Sequence, residues 1–415
     1  MNSNNSEDLE VEPRVSEKLA SRGTMEYSVR YLRCLLRMLG VWPLVAGGNP
    51  SQLDKLIGTI MRPVALFYST LVLLPMFAEV AAQRAPREEL ISLVAPLAYQ
   101  AFNVMKHFFL LLRIDIIKTS LKHMEIDWEN IDNDKDRGIM VKSIQEANKL
   151  AIIITISMYV GGTLHNFILP ALADSYVNEF NETIRVLCFP GGDFFLDVQA
   201  NVVFEIVFVT YWMSDMFVVT VSMALFTLAL ILLRHSCGQI QILISNLGNL
   251  VDPDQDIIVI MENSIGPIVR HHARLLTFSM HIEKILKEVC AMEVICDTLI
   301  LCFLGYVCIM DISNYDLTTI FTYVMLLVTI AFNLYLYCQI GEVLKEEYQN
   351  VGAAAYMIDW YKLPTKASLD LIMIMNMSAQ PRQLTAGGMM ELSRTSYVSI
   401  MKTSFAYLNM LRTMA

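Results

Sequence analysis

The chain has 415 residues, of which 55% are hydrophobic and 17% charged, and its formal net charge at pH 7 is −10. This is more apolar and less charged than an ordinary soluble domain, so the composition indicates a membrane protein. The acidic balance argues against nucleic acid as a partner, because binding it requires a concentrated basic face.

The first 25 residues of the amino-terminal segment, residues 1–56, are polar overall and mixed in charge, with no apolar run of the signal-peptide kind. We therefore expect it to remain uncleaved and to lie in the cytosol.

Six long apolar stretches follow within residues 57–340, each near or beyond the roughly 20 residues that cross a bilayer. They lie at about residues 57–82, 89–113, 150–173, 201–233, 288–310 and 317–340, and a weaker seventh lies within residues 390–415 at about 390–412. The pattern predicts an all-α fold with seven transmembrane helices and no division into separate soluble domains.

Lys and Arg are distributed unequally between the loops at the two ends of these spans. The segments on the amino-terminal side hold 21 of them and the opposite segments hold three. Since basic residues concentrate on the cytosolic side, the amino terminus is predicted to be inside and the carboxyl terminus outside. Of the three sequons, this topology exposes only Asn181 to glycosylation and keeps Asn4 and Asn376 inside.

Residues 234–285 and 341–389, which lie inside in this topology, carry apolar residues three and four apart. This spacing is typical of amphipathic helices, which we expect to extend the neighbouring spans into the cytosol. Such helices need partners that cover their apolar faces.

Four carboxylates lie within or near the apolar spans: Glu205, Asp215, Glu293 and Asp297. A charge in a bilayer is costly, so these groups must face protein or water. We expect structural pairing rather than ligand contact for them.

No motif of nucleotide binding, phosphate binding, serine hydrolysis or zinc proteolysis occurs in the chain. The eight cysteines show no C-x-x-C spacing, and His271 and His272 are adjacent and so do not face one another on a helix. We expect neither an enzyme nor a cofactor or metal.

Four segments of the carboxyl-terminal half resemble those of insect odorant receptors. They are RHSCGQIQIL (234–243), IVRHHARLLTFSMHIEKIL (268–286), YLYCQIGEVLKEEYQNVGAAAYMIDWYKLP (335–364) and MNMSAQPRQLTAGGMMELSRTSYVSIMKTSFAYLNMLR (375–412). The amino-terminal half is similar mainly in its pattern of spans.

The resemblance implies an odorant-binding subunit of a heterotetrameric, odorant-gated, nonselective cation channel that acts in olfactory signal transduction. Its partners would be odorant receptor coreceptor subunits and a small volatile odorant, in the plasma membrane of an olfactory neuron dendrite. The inner helices of 234–285 and 341–389 would form the anchor for tetramer assembly.

The resemblance also implies an odorant pocket in the outer half, lined by the second, third, fourth and sixth spans. Residues at suitable depth and spacing are Tyr99, Tyr159, Gly162, Asn166, Phe208, Trp212, Ile320 and Tyr323. Because an apolar volatile is recognised mainly by shape, these aromatic and small residues suit it.

The last helix carries more polarity than a lipid-facing span tolerates, and the resemblance places it around a central pore. Met401, Ser404, Leu408 and Leu411 follow i, i+3, i+7 and i+10 and form one stripe. Leu408 falls where a ring of aliphatic side chains would close the pore by excluding water.

A gustatory receptor channel of the same superfamily is the nearest alternative, although the LTAG and TSFAYL stretches favour an odorant receptor. The coreceptor itself is disfavoured because no long insertion separates the fourth and fifth spans. A G-protein-coupled receptor requires the opposite topology, and a transporter would show two related halves with broken spans.

Overall fold

Helices form nearly all of the computed structural model, which describes residues 26, 28–48, 50–82, 87–131, 133–172, 175–177, 183–187, 189, 197–250, 265–310, 317–379 and 383–414. The helices of the first half are α1 (28–38), α2 (Trp42–Val45), α3 (Gln52–Leu71), α4 (Leu73–Ala82), α5 (Arg87–Leu112), α6 (Ile114–Glu129), α7 (Asp134–Thr163) and, after a π-helical turn at Leu164–Ile168, α8 (Leu169–Leu172).

The rest of the described chain contains five helices and two short hairpins. The helices are α9 (Asn201–Gly248), α10 (Ile265–Met310), α11 (Leu317–Met357), α12 (Thr365–Ala379) and α13 (Arg394–Met414), with a 3₁₀ turn at Trp360–Lys362. The hairpins pair β1 (Tyr176–Val177) with β2 (Thr183–Ile184) and β3 (Thr385–Ala386) with β4 (Met390–Glu391).

Five helical stretches in the described part of the chain are long and apolar enough to cross a membrane. They are Gln52–Ala82, Asp134–Leu172, Val202–Gly248, Ile265–Cys308 and Tyr323–Met357. Helices α5 and α13 complete the bundle of seven, which confirms the predicted all-α, seven-helix fold. We call the end of the bundle that carries α1, α6 and α12 the inner end, and the end with β1 and β2 the outer end.

The fourth span, α9, is the central helix of the bundle. Its apolar residues between Val218 and Leu233 are almost all buried, and it packs against α3, α5, α7, α10 and α11. A helix that is apolar on every side lies either in lipid or among other helices, and the burial of α9 places it among its neighbours. The remaining spans are arranged around this helix.

Two prolines account for irregular places in the first and third spans. Pro75 has no N–H to donate to the carbonyl of Leu71, where α3 ends. Pro170 likewise cannot donate to the carbonyl of Asn166, which lies in the π-helical turn. The regular helical hydrogen bonding is therefore interrupted at the two places where Pro75 and Pro170 lack a donor.

The inner helices continue the spans as predicted from their spacing. Helix α9 runs without a break to Gly248, α10 begins at Ile265, and α11 continues to Met357 before the 3₁₀ turn. Residues 251–264, between α9 and α10, lie outside the described part.

Two of the segments that carry the family resemblance meet around Asp127 of α6. His235 Nε2 lies 3.0 Å from Asp127 Oδ2, and Arg274 forms an ion pair with the other carboxylate oxygen. Burial alone would raise the pKa of Asp127, but the His235 hydrogen bond and the neighbouring basic side chains hold this pKa below its usual value. The segments thus join α6, α9 and α10 at the inner end.

The LTAG stretch forms the hairpin of β3 and β4. Gly387 and Gly388 adopt φ of 65° and 75°, a left-handed conformation that favours glycine. The Gly387 N–H donates to the carbonyl of Lys287 at 2.8 Å, and Thr385 Oγ1 donates to Glu283 Oε1 at 3.1 Å. The hairpin is therefore fixed against α10.

The last helix begins at Arg394, which corrects the predicted start at residue 390. Met390 and Glu391 pair with β3 instead, and Ser393 Oγ accepts a hydrogen bond from the Ser396 N–H. A serine that caps the first free N–H groups is a common helix start. Arg394 then contacts α11, its Nε donating to Gln339 Oε1 at 3.1 Å.

Candidate ligand-binding site

Aromatic side chains of the third and fourth spans meet near the outer end of the bundle. The ring of Phe167 lies 5.2 Å from that of Phe208 and 5.0 Å from that of Trp212, between centroids. Phe204 stacks on Phe208 at 5.8 Å. Positions 204, 208 and 212 are four apart on α9 and so share one face. Two predicted pocket residues, Phe208 and Trp212, therefore lie together.

The π-helical turn at Leu164–Ile168 supplies the facing residues. A π turn holds one residue more than an α turn and is frequent at functional sites. Here it contains Phe167 and Asn166, and the Asn166 side chain is hydrogen bonded to the carboxylate of Asp215. The irregular turn thus contributes both an aromatic and a polar contact to α9.

Asp215 lies one turn beyond Trp212 on α9 and is almost completely buried. A Cβ atom added to Gly162 of α7 would lie 3.1 Å from Asp215 Oδ2. The missing side chain at Gly162 therefore lets α7 approach the carboxylate closely.

Tyr159, one turn earlier on α7, is fixed by a hydrogen bond to α9. Its hydroxyl oxygen lies 2.5 Å from Thr220 Oγ1, and Thr220 Oγ1 donates to the carbonyl of Met216 at 2.7 Å. Since Thr220 has only one proton to donate, Tyr159 must be the donor in their bond. The ring of Tyr159 is thereby held against α9.

Several polar atoms of this region are buried without a hydrogen-bond partner among the described residues. They include Trp212 Nε1, Asp215 Oδ2 and His165 Nδ1. Most buried polar atoms in folded proteins are paired, so each exception calls for an explanation. A small, mostly apolar ligand with one hydroxyl group could donate to Asp215 and accept from Trp212.

The structure separates the eight predicted pocket residues into three places. Tyr159, Gly162, Asn166, Phe208 and Trp212 lie along the contact between the third and fourth spans. Tyr99 packs against Ala95, Cys296 and Ile300 between α5 and α10, within electrostatic range of Asp215. Ile320 and Tyr323 are half-buried near the start of α11. Contact of each with a ligand stays a prediction.

Sequence reasoning missed Phe167 and assigned Asp215 to structural pairing. The three other carboxylates do have such partners: Glu293 with Lys106, Glu205 with Arg185, and Asp297 with Asn333. Asp215 has no basic partner in the described part of the chain. The spacing of Trp212 and Asp215, three apart on one helix, was a signal that could have identified it.

A second group of buried polar residues lies nearer the inner end. Lys106 Nζ is 2.9 Å from Glu293 Oε1 and donates to Asn103 Oδ1 at 3.2 Å. Ser222 Oγ donates to the same Asn103 oxygen at 2.5 Å, and Asn333 Nδ2 donates to an oxygen of Asp297 at 3.3 Å. This group connects the second, fourth, fifth and sixth spans.

The predicted pore stripe is divided by the packing of α13. Ser404 and Leu408 are buried, and a Cβ atom added to Gly305 of α10 would lie 2.8 Å from Leu408 Cδ1. Met401 is half-buried, whereas Phe405 is exposed; the side chain of Leu411 lies outside the described part. Two of the four predicted pore residues are thus buried within the chain's own bundle, and Leu408 faces its fifth span.

The predicted glycosylation site Asn181 lies outside the described residues, as does Cys188. The described cysteines are free thiols. His271 Nε2 lies 2.9 Å from Gln239 Oε1, which agrees with a packing role.

A cavity of about 790 Å³ lies at the inner end, between α10, α11, α12 and the LTAG hairpin. Glu283, Lys345 and Thr385 are among the residues that line it.

Comparison with known proteins places these features in a family. A family model described as 7tm Odorant receptor matches residues 88–405. The chain is 22% identical over 145 residues to Odorant receptor 10 of Aedes albopictus, which covers 35% of this chain and 38% of that protein. It is 23% identical over 147 residues to Odorant receptor 85b of Drosophila melanogaster, which covers 35% and 37%. The matched stretch is less than two fifths of each relative's length.

Solved structures share the fold over nearly the whole chain. The insect olfactory receptor OR5 from Machilis hrabei matches with a TM-score of 0.73 at 13% identity, over 92% of this chain and 97% of that one. The structure of the same receptor in complex with eugenol matches with a TM-score of 0.77 at 13% identity, over 96% and 100%. At this identity the likeness concerns the fold alone.

Proposed function

The chain belongs to the odorant receptor family, whose model matches residues 88–405, and on that premise we propose that it is the odorant-binding subunit of a ligand-gated, nonselective cation channel. Its partners in this proposal are odorant receptor coreceptor subunits, with which it forms a heterotetramer. Membership of a receptor family confirms that the chain is not an enzyme. The proposal has four parts: ligand, gate, assembly and topology.

The observation that carries the ligand proposal is the contact of Phe167, Phe208 and Trp212 above the buried carboxylate of Asp215. Aromatic walls with a few polar groups are typical of sites for small apolar molecules. A receptor of the same fold is described in complex with eugenol. We infer that this chain takes a small volatile with an apolar body and one hydroxyl or carbonyl group.

The gate proposal concerns α13. Four copies of this helix, one from each subunit, would surround a central pore, with the stripe that includes Leu408 at its constriction. Odorant binding would favour the open arrangement by binding it more tightly than the closed one. Because Leu408 packs on Gly305 in this structure, opening and closing would include movement of α13 against α10.

The assembly proposal rests on the apolar surface of the inner helices. On α12, four exposed apolar residues share one helix face at positions i, i+3, i+4 and i+8: Leu369, Ile372, Met373 and Met377. Exposed apolar faces of this kind mark interaction surfaces. We propose that residues 341–389, with 234–285, form the anchor between subunits, as expected from the sequence.

The topology proposal places the inner end in the cytosol of a plasma membrane, in the dendrite of an olfactory neuron. It rests on the excess of Lys and Arg at that end. Single Asn→Gln changes at the three sequons test it through gel mobility. Only Asn181→Gln should remove a glycan, whereas a glycan on Asn376 would reverse the topology.

The main experiment records whole-cell current from cells that express this chain with and without a coreceptor. We expect odour-evoked cation current only when both are present, and a weaker response from Trp212→Ala at matched surface expression. A second-messenger response without current and without a coreceptor would favour a G-protein-coupled receptor. Currents evoked by tastants but not by volatiles would favour a gustatory receptor.

A further inference from the structure

A basic cavity lies at the inner end of the bundle between α1 and α3, separate from the candidate odorant site. Its volume is about 790 Å³. One wall carries Arg30, Arg33 and Arg37 of α1, and the other carries the apolar side chains of Leu53, Ile57 and Met61 of α3. The spacings of three or four residues place each set on one helix face, so a charged face opposes an apolar one.

The positive charge of this cavity is only partly neutralised. Asp54 is buried and forms ion pairs with Arg37 at 2.5 Å and with Arg33 at 3.4 Å. Arg30 is exposed and forms no ion pair with a described residue. Among the described residues that form this cluster, three guanidinium groups therefore share one carboxylate, an excess of two positive charges.

The same arginines keep donors for an additional anion. The side chains of Arg33 and Arg37 are 39% and 37% exposed, and each contacts Asp54 through one terminal nitrogen, Nη2. The guanidinium of Arg33 also lies 5.4 Å from the centre of the Trp42 ring, which restricts its position. Guanidinium groups bind phosphate oxygens through paired, charge-assisted hydrogen bonds.

The apolar wall continues along the surface of the first span. Leu53, Leu56 and Ile60 are 62%, 60% and 54% exposed in a helix long and apolar enough to cross a membrane. Their side chains lie where acyl chains would cover them. The cavity thus adjoins both an apolar surface and a cluster of positive charge, which together match an amphiphile rather than a soluble anion.

We propose that this cavity binds the phosphate head group of an anionic phospholipid, with the acyl chains of that lipid along Leu53, Ile57 and Met61. Basic pockets beside transmembrane helices bind such head groups. The identification of the leaflet as the cytosolic one rests on the proposed topology, whereas the binding itself does not.

The test uses the purified full-length chain in phosphatidylcholine nanodiscs, titrated with fluorescent phosphatidylinositol 4-phosphate. Both leaflets of a nanodisc are accessible, so a failure of binding is distinct from a failure of the topology, which the glycan on Asn181 reports. We expect saturable binding that weakens about 25-fold in Arg30→Gln/Arg37→Gln, or about fivefold for each basic residue lost.

Arg270→Gln is the matched control, because Arg270 is exposed on α10 at the same end and forms no ion pair with a described residue. Its lipid affinity should equal that of the unchanged chain. Equal affinities of the double variant and this control would overturn the proposal.

Leu53→Gln keeps the test decisive if the double arginine variant fails to fold, because Leu53 is largely exposed. It should weaken binding of the lipid but not of soluble inositol 1,4-bisphosphate. If the soluble compound binds as tightly as the lipid, and Leu53→Gln has no effect, the cavity is a site for soluble anions and the proposal is wrong.

Cys34 provides an independent reporter, because it lines the same cavity and its thiol is exposed. Phosphatidylinositol 4-phosphate in the nanodisc should slow maleimide labelling of Cys34 several-fold, with Cys34→Ser identifying the signal. Labelling at an unchanged rate under saturating lipid would contradict the proposed position of the head group.

Discussion

Two groups of buried polar side chains lie at different depths of this bundle, and they differ in how many of their atoms are paired. The group nearer the inner end includes Lys106 and Glu293, whose ion pair is supported by further hydrogen bonds. The group nearer the outer end includes Trp212 and Asp215, each with a buried polar atom that has no partner among the described residues. Both groups occupy an apolar surrounding.

The difference indicates a division of roles between the two depths. An unpaired buried polar group costs about 1 to 3 kcal/mol, more if it is charged. At the inner group the chain offsets this cost with its own side chains, so the group joins four spans. At the outer group, under the proposed function, a bound ligand would supply the missing partners. Changes at Lys106, Gly162 and Trp212 test this contrast directly.

The largest effect is expected from removal of the only cation in the inner group. Lys106→Met should lower the free energy of unfolding by about 3 to 5 kcal/mol, because it leaves the buried carboxylates of Glu293 and Asp297 without a positive partner. Thermal unfolding of the purified chain in detergent measures the change.

The matched control is Arg113→Met, which breaks the ion pair between Arg113, the residue directly after α5, and Glu288 of α10. Both side chains of that pair are more than one fifth exposed, so we expect a loss of at most about 1 kcal/mol. If the free energy of unfolding falls equally in the two variants, burial of the Lys106–Glu293 pair does not increase its contribution to stability.

The next largest loss of stability is expected from one of two glycine substitutions. In Gly341→Ala the new Cβ would lie 2.3 Å from the backbone oxygen of Leu392, which cannot move without displacing the start of α13. We expect a loss of about 1 to 3 kcal/mol, as for other overpacked sites, and reduced delivery to the cell surface.

In Gly162→Ala the new Cβ meets the Asp215 carboxylate at 3.1 Å instead. This variant should retain most of its stability and change its odour responses. The contrast fails if Gly162→Ala is the less stable variant of the two. Thermal unfolding and surface biotinylation on both variants decide the comparison.

Shortening the aromatic side chains of the candidate ligand site should change odour responses more than it changes stability. Trp212→Ala removes contact area and a hydrogen-bond donor, so we expect half-maximal odour concentrations to rise at least tenfold for hydroxyl-bearing volatiles, equivalent to about 1.4 kcal/mol. Tyr159→Ala should alter the odour range in a similar way but less strongly.

Trp360→Ala is the control for this test, because Trp360 is exposed in the 3₁₀ turn at the inner end. Concentration–response curves are recorded with a coreceptor across a broad odour panel. Curves for Trp212→Ala and Tyr159→Ala that coincide with those of the control would assign the ligand site to other residues.

The smallest effect is expected in the last helix, where coreceptor subunits would supply the other sides of the pore. Leu408→Ser should raise the current without odorant, because a hydroxyl lets water enter an apolar constriction. Phe405→Ser changes a residue that is exposed in this chain and serves as the comparison. If only Phe405→Ser alters the reversal potential at matched surface expression, the exposed face of α13 lines the pore and the predicted stripe is wrong.

The number, order and approximate limits of the seven spans could be predicted because each apolar run reflects the thickness of the bilayer. The extension of α9, α10 and α11 beyond the membrane followed from apolar spacing in the same way. The start of α13 could not be predicted. Met390 and Glu391 pair with β3 in a hairpin that is held by a hydrogen bond to the α10 backbone, a contact distant in sequence.

Part of the candidate ligand site was also accessible from the sequence. Phe208 and Trp212 share a helix face at regular spacing, so both were found. Phe167 was not found, because a π turn shifts the direction of the residues that follow it, and apolar spacing assumes a regular helix. The lack of a basic partner for Asp215 among the described residues was equally hidden, since a carboxylate in a span looks the same whether a basic or a neutral side chain lies opposite.

The sequence by itself therefore determined that this is a helical membrane protein, the number of its spans, its resemblance to a receptor family and the residues that the spans carry. Only the tertiary structure decided which faces meet. Lys106 lies 187 positions before Glu293, and Leu408 faces Gly305 on another helix. Membrane insertion depends on local hydrophobicity and can be inferred from one segment at a time. Contacts between helices depend on their rotation and depth, which the packing of all seven determines together.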